Sequence, residues 1–491
     1  MTSQNNVKRI VYNVKLTDSR RKKILILGLG SYPQGSGVSA ALYFARAGHE
    51  VLVADQKTKA EVKVNYDQLK KFKNVKFHLA GWRVKDADWA DLIIKNPGVR
   101  RNNEVLTRAL RTGKPVENDI TIFFKQTPCL VVGVTGTRGK TTVTAWIGDM
   151  LRRTGARLPD GQGPRGRRRT GIFVGGNITV SPLTFLSKLK KDDIAVVELS
   201  SWLLETTGAN GLSPYVAVWT NLMNDHLNTY DGLDDYAEAK AQIMRHQWPS
   251  GYFVANLDDK YVGRYARESV AHVLGFSRAK KKNSAAWING EWLMLKVRGK
   301  DMKLIKRQQI GLQGQHNLMN ALAAAAASLA AGATLIGIRA SLKGFGGVPY
   351  RQQIVGRKRG ITFVNDTTST TPDAAIVALQ AFCKHGMTVH WICGGADKGL
   401  DYSGLMALAS HKKLTAYLLV GTAYGKMEKG FKAKGLKPQK AESLKQAFDQ
   451  AVTSANPGDV VLLSPACASF GLFRNEFDRG DQFNELVERY R

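Results

Sequence analysis

From Lys22 the chain sets short apolar runs against amphipathic stretches. KKILILGLG reads as a strand, SYPQGSGVSAALYFARAG as a glycine-rich turn leading into a helix, and HEVLVAD as a second strand. Val38, Ala41, Leu42 and Ala45 share one helical face, so the pattern predicts a βαβ opening of Rossmann type. Asp55 closes the second strand, where such units commonly set a carboxylate toward ligand hydroxyls. The stretch between Gly30 and Gly35 is longer than a dinucleotide fingerprint allows. The turn is therefore expected to take a nucleotide-type ligand other than NAD.

A second strand–loop–helix unit begins near Thr127. The apolar run CLVVGV leads into TGTRGKTT and then a helix that sets Val143, Trp146, Ile147, Met150 and Leu151 on one side. Glycines at 133, 136 and 139 let backbone N–H groups curl round a polyphosphate, Lys140 brings a cation, and Thr141 brings a hydroxyl for Mg²⁺. Val134 stands where a strict Walker loop has its first glycine, so the spacing is a variant one. ATP or GTP is the expected ligand. A strand from Ile194 to Val197 delivers Glu198, and another from Val216 to Trp219 delivers NLMNDHLN with His226. Ligands gather at such carboxyl ends, so Glu198 and His226 are candidates for metal or phosphate contacts, against the plainer readings of a surface glutamate and a capping histidine.

The alternation resumes after Pro349. Strands are expected at Ile361–Val364, Val389–Cys393, Ala416–Val420 and Val460–Leu463, with a helix starting at Pro372 behind Thr371. The fold class is α/β in three domains. These are a Rossmann-like domain over 1–126, a central P-loop ATPase-type domain with a mostly parallel sheet over 127–347, and a second Rossmann-like domain over 348–491.

Composition adds limits. The 491 residues are 43% hydrophobic and 23% charged, which excludes whole-chain disorder. Cys129, Cys383, Cys393 and Cys467 form no CxxC pair, so a reducing cytoplasm is expected, with neither a disulfide framework nor a zinc cluster. The start MTSQNNVKRI has no apolar signal core, and the alanine-rich run Ala321 to Ile338 reads as a buried helix and turn, so no membrane span is expected. Seventy-two Lys and Arg against 40 Asp and Glu give a net charge of +32, which favours polyanions without choosing among them. The tract Leu158 to Gly171, with four arginines, reads as a solvated surface insertion.

Eight segments in order carry a resemblance: TGTRGKTT, GGN at 175–177, VELSSWLLE, NDHLN with YAEAK, GQHNLMNA, NDTTSTTPDA, GGADKGLD and SPACASF. Together they resemble the Mur ligases of bacterial cell-wall synthesis, and within that family the glutamate-adding branch. The resemblance implies an ATP-dependent amide ligase that joins D-glutamate to UDP-N-acetylmuramoyl-L-alanine through an acyl phosphate. It implies a monomer without required membrane or nucleic-acid partners. Gly136, Thr137, Gly139, Lys140, Thr141 and Thr142 would grip the phosphates. Thr141 and Glu198 would hold one Mg²⁺, and His226 and Lys240 would serve a second, Lys240 as a CO₂-derived carbamate. Asn317 and Asn320 match the adenine side, and Arg351 and Asp366 a clamp on phosphates and ribose. Gly28, Gly30, Gly37, Asp55, Asn177 and Ser200 would meet the UDP-sugar, and Thr370, Lys398, Ser469 and Phe477 the glutamate.

Three departures fall at the amino-acid end. Thr368 stands in NDTTSTT where the family has lysine, Phe477 comes one place late with Glu476 in its slot, and Tyr350 replaces a common histidine before Arg351. L-glutamate or another acidic amino acid therefore remains open as the substrate. Two competing readings are a nucleotide-gated nucleic-acid-binding protein, suggested by charge and the arginine tract, and a folylpolyglutamate synthetase-like ligase, which the first block and SPACASF argue against.

Overall fold

The computed structural model describes residues 21–154, 170–176, 180–225, 229–312, 314–383, 387–397, 399–409 and 413–490. Asn177, His226, Lys398, residues 1–20 and all but the last two residues of the 158–171 tract lie outside them. The described strands form three sheets. The first consists of β1 (Lys23–Leu27), β2 (Glu50–Asp55), β3 (Val75–Leu79), β4 (Leu92–Lys95) and β5 (Val116–Glu117), ordered β3-β2-β1-β4-β5 and parallel throughout. The strand order reverses beside β1, and the Gly28–Gly37 turn follows its carboxyl end, the place where such sheets take ligands.

The second sheet holds β6 (Leu130–Thr135), β7 (Ile172–Gly176), β8 (Ile194–Glu198), β9 (Val216–Trp219), β10 (Tyr252–Asn256) and β11 (His272–Ser277). It continues through β12 (Ser284–Asn289), β13 (Trp292–Val297) and β14 (Lys300–Lys306) in the order β14-β13-β12-β11-β10-β9-β6-β8-β7. Pairing is parallel from β7 to β12 and antiparallel across β12–β13–β14, an extension the sequence pattern did not separate. β6 is central, between β8 and β9, and its apolar run is buried on both faces. The helix Lys140–Thr154 follows, with Val143, Trp146, Ile147, Met150 and Leu151 all fully buried as their spacing predicts.

The third sheet is β15 (Gln353–Lys358), β16 (Ile361–Asn365), β17 (Val389–Gly394), β18 (Leu414–Leu419), β19 (Gln439–Ala441) and β20 (Val460–Leu463), ordered β15-β16-β20-β17-β18-β19. Only β15 runs antiparallel. The helix Pro372–Cys383 begins where proline at its first position requires. The chain separates into two compact units, one reaching Ile310 and including Gln315–Gly344, the other made of Gly311–Gly314 with Phe345–Arg491. The first two sheets lie in the former and the third in the latter. Among the described residues no helix is long and apolar enough to cross a membrane.

Candidate active site

The loop after β6 turns into its helix through two glycines with left-handed backbone, Gly136 at φ 145° and Gly139 at φ 82°. A Cβ at Gly136 would lie 2.0 Å from Thr220 Oγ1, and one at Gly139 would lie 2.4 Å from Asn320 Oδ1. Both positions therefore demand glycine for space as well as for φ. Thr137 N donates to Asn221 O (2.9 Å) and Arg138 N to Asn221 Oδ1 (2.9 Å), while the Thr220 hydroxyl donates to Arg138 O (2.7 Å). These bonds fix the shape of the loop from within the protein through its own amides. Two of them are committed to Asn221, and the first turn of the 15-residue helix Lys140–Thr154 offers N–H groups and a helix dipole of the kind that suits a polyphosphate.

Two lysines converge on this loop. Lys140 Nζ donates to Gly136 O (2.9 Å) and Thr137 O (3.0 Å), and Lys240 Nζ donates to the same Gly136 O (3.1 Å). Lys240 is 1% exposed on the helix Leu233–Arg245 and lies over the Tyr236 ring one turn earlier, 4.5 Å from its centroid. Burial pushes its pKa well below the ordinary lysine value and the charge of Lys140 pushes the same way, against the opposing pull of Asp225 and Glu198. Its amine is thus biased toward the neutral, nucleophilic form.

Glu198 ends β8, buried, and pairs in register with Val134 of β6 and Gly176 of β7. Thr141 is buried in the first turn of the phosphate-loop helix. A hydroxyl and a carboxylate are hard oxygen donors of the kind Mg²⁺ takes, and both are buried at this loop end, so the residues present fit the ion. Among the described residues no group of three or more His, Cys, Asp and Glu gathers as a metal cluster. Asn320 stands over Gly139, and its side-chain amide donates to Asn317 Oδ1 (3.1 Å).

At the first sheet, Gly28 and Gly30 take φ of 92° and 75°, and a Cβ on Gly37 would fall 2.1 Å from Gly28 O, so the helix Ser36–Arg46 starts hard against the turn. Asp55 is buried at the end of β2, beside this turn. Its Oδ2 accepts from Leu29 N (2.7 Å) and Gly30 N (3.2 Å), and its Oδ1 from Lys57 N (2.9 Å), so the carboxylate organises the turn itself. Ser200 caps the helix Ser201–Ala209, accepting from Leu203 N (3.4 Å).

In the second unit, the carboxyl ends of β16, β20 and β17 bring three motif turns together. Ala466 N donates to Ser369 O (2.9 Å), and Ala396 and Ala468 exchange bonds of 2.9 and 3.1 Å. Thr370 and Ser469 thus project from neighbouring turns, with Ser469 buried. Asp366 is buried, accepting from Gln352 N (3.0 Å) and Ser464 Oγ (2.7 Å), and burial pushes its pKa up to about 6. Arg351 is exposed beside it. Phe477 meets Tyr350 edge-on at 5.4 Å, and the hydroxyl of Thr368, in the lysine slot, donates to Tyr350 O (2.9 Å).

Three family profiles match in order: "Mur ligase MurD-like, N-terminal domain" over 22–118, "Mur ligase middle domain" over 134–328 and "Mur ligase, glutamate ligase domain" over 350–467. The UDP-N-acetylmuramoylalanine–D-glutamate ligase of Roseiflexus sp. is 34% identical over 481 residues, spanning 96% of this chain and 99% of the relative. The chain belongs to the Mur ligase family. The ligase of the same name from Desulfitobacterium hafniense is 34% identical over 473 residues, 96% of this chain and 98% of that one. The crystal structure of UDP-N-acetylmuramate-alanine ligase from Thermotoga maritima is similar in fold, with a TM-score of 0.57 at 20% identity, covering 96% of this chain and all of that one. Mur ligases are ATP-dependent enzymes that form amide bonds and use Mg²⁺.

Within this Mur ligase the structure brings Gly136, Gly139, Lys140, Lys240 and Asn320 into one loop environment, and Thr370 and Ser469 onto adjoining turns. Sequence reasoning missed Asn221, which seats the phosphate loop, and Tyr236, which underlies Lys240. It also missed Arg101, which reaches from the loop after β4 to Glu205 Oε1 (2.6 Å) and Asp235 Oδ2 (2.8 Å). Asn221 and Tyr236 sit inside or beside the quoted motifs and were legible there. Arg101 carries no local signal.

Proposed function

We propose that this Mur ligase joins D-glutamate to UDP-N-acetylmuramoyl-L-alanine in the cytoplasm, at the expense of ATP. We read it as a monomer of three domains over 1–126, 127–347 and 348–491. The observation that carries the reading is the sharing of the Gly136 carbonyl by Lys140 and the buried Lys240. Lys140 stands at the phosphate loop, while burial pushes the Lys240 pKa down and so favours the neutral amine, the form that adds CO₂ with loss of a proton to give a carbamate. Together with His226, such a carbamate would serve a second Mg²⁺, the first falling to Thr141 and Glu198. The ions would offset the repulsion between a carboxylate and a polyphosphate.

In the first half-reaction the carboxylate oxygen of the alanyl group attacks the γ-phosphorus and ADP departs. The helix Lys140–Thr154 and Lys140 hold the phosphates for that in-line approach. The neutral amino group of glutamate then attacks the acyl carbon, phosphate leaves with the carbonyl–oxygen electron pair, and the amine loses a proton. We assign Gly28, Gly30, Gly37, Asp55, Asn177 and Ser200 to the UDP-sugar side, and Asn317 and Asn320 to adenine. Arg351 and Asp366 serve the nucleotide clamp, and Thr370, Lys398, Ser469 and Phe477 the amino acid. The D-glutamate ligases of Roseiflexus and Desulfitobacterium support the choice of substrate. The test is purified protein with ATP, Mg²⁺, the UDP-sugar and radiolabelled D- or L-glutamate. Label should enter product from D-glutamate with stoichiometric phosphate release, and failure with both isomers overturns the assignment.

A further inference from the structure

The helix Glu476–Arg489 buries a cation in its first turn. Arg479 is 0% exposed, and its Nε donates to Thr367 Oγ1 (2.9 Å), its Nη2 to Thr367 O (2.8 Å) and its Nη1 to Cys467 O (3.4 Å). Among the described residues it makes no ion pair, so a guanidinium is held out of water by neutral acceptors alone. Burial lowers its pKa to about 10, with Cys467 and Glu476 acting to raise it, and it stays cationic at neutral pH. Its acceptors lie on the two turns that carry Thr370 and Ser469. Gly480 lets the helix approach closely, because a Cβ there would sit 2.6 Å from Thr367 Cγ2.

A structural staple alone would not need a full charge, since neutral donors satisfy carbonyl and hydroxyl acceptors without the desolvation an ion suffers. A buried, weakly screened positive charge is instead what an acidic ligand beside these turns requires. Arg479 holds its charge against Thr367, one residue before Thr368 and three before Thr370. We propose that Arg479 is a specificity-determining residue for the incoming amino acid, favouring an acidic side chain through its charge and positioning the turns of Thr370 and Ser469. This inference rests on the ligase reading above.

The test compares glutamate with glutamine, which differ in side-chain charge, as substrates of the full chain. Arg479→Met should raise KM for glutamate and cut the glutamate-over-glutamine ratio of kcat/KM at least tenfold, with KM for ATP within twofold of the unaltered enzyme. Arg479→Lys, keeping charge but losing the fork, should retain that ratio within about threefold while kcat falls. A folded Arg479→Met with the ratio unchanged, both substrates declining alike, overturns the proposal. Should that variant fail to fold, Arg479→Lys decides: a retained ratio supports the charge role and a collapsed one overturns it. Failure of the unaltered enzyme to use either amino acid would instead overturn the ligase reading, and this inference with it.

Discussion

Gly136→Ala perturbs the phosphate loop at its most crowded point. The added methyl would sit 2.0 Å from Thr220 Oγ1, so the buried threonine must rotate away and give up its 2.7 Å bond to Arg138 O. A lost buried hydrogen bond costs about 1–3 kcal/mol, and alanine at φ 145° adds about 1–3 kcal/mol of backbone strain. The variant should therefore lose roughly 2–6 kcal/mol, a large part of a typical folding free energy of about 5–15 kcal/mol. Because both Lys140 and Lys240 bond the Gly136 carbonyl, ATP turnover should fall even where the fold survives. Thr220→Ala removes the clashing oxygen and leaves the backbone strain. In that background Gly136→Ala should cost only the strain, giving a favourable coupling of about 1–3 kcal/mol. Urea denaturation of the two single variants and the double variant, with ATP affinity by calorimetry, measures the cycle. Additivity within about 0.5 kcal/mol would refute the steric account.

Lys240→Ala should lower ligation by at least about a hundredfold, the scale on which a preorganised electrostatic group acts, with partial rescue by acetate; full activity without rescue eliminates the carbamate. Asp366 has its pKa raised from 3.8 to about 6, so its contribution to stability is fully present below pH 3.8 and lost as pH rises through 6. Asp366→Asn should thus stabilise the folded chain by up to about 3 kcal/mol at pH 8 and by progressively less toward pH 4, read from denaturation midpoints. Ala466 holds φ 60° in the SPACASF turn, so Ala466→Gly should leave the unfolding free energy unchanged or raise it by about 1 kcal/mol, read from urea denaturation; a clear loss would mean its methyl packing matters more than its strain.

The phosphate loop and its helix were legible because their signals are local. Glycine spacing fixes where the backbone can turn left-handed, and the 3.6-residue period fixes which face of Lys140–Thr154 is buried. The same holds for the helix start at Pro372 and the strand that ends in Glu198. The β12–β14 extension escaped because SAAWIN, WLMLKV and KDMKLIK alternate weakly and owe their pairing to neighbours across the sheet. Asp55 was read from its place after a strand, yet its actual partners, the amides of Leu29 and Gly30, are some 25 residues back.

The sequence by itself determined the α/β class, the order of the motifs and the chemical types at each strand end, since backbone geometry and side-chain chemistry act over a few residues. Tertiary structure alone decided which charges keep company. Lys240 meets the carbonyl of Gly136 across 104 positions, and Arg479 meets Thr367 across 112. Their ionisation follows from the water those contacts exclude, and exclusion of water is a property of packing that no short stretch of chain encodes.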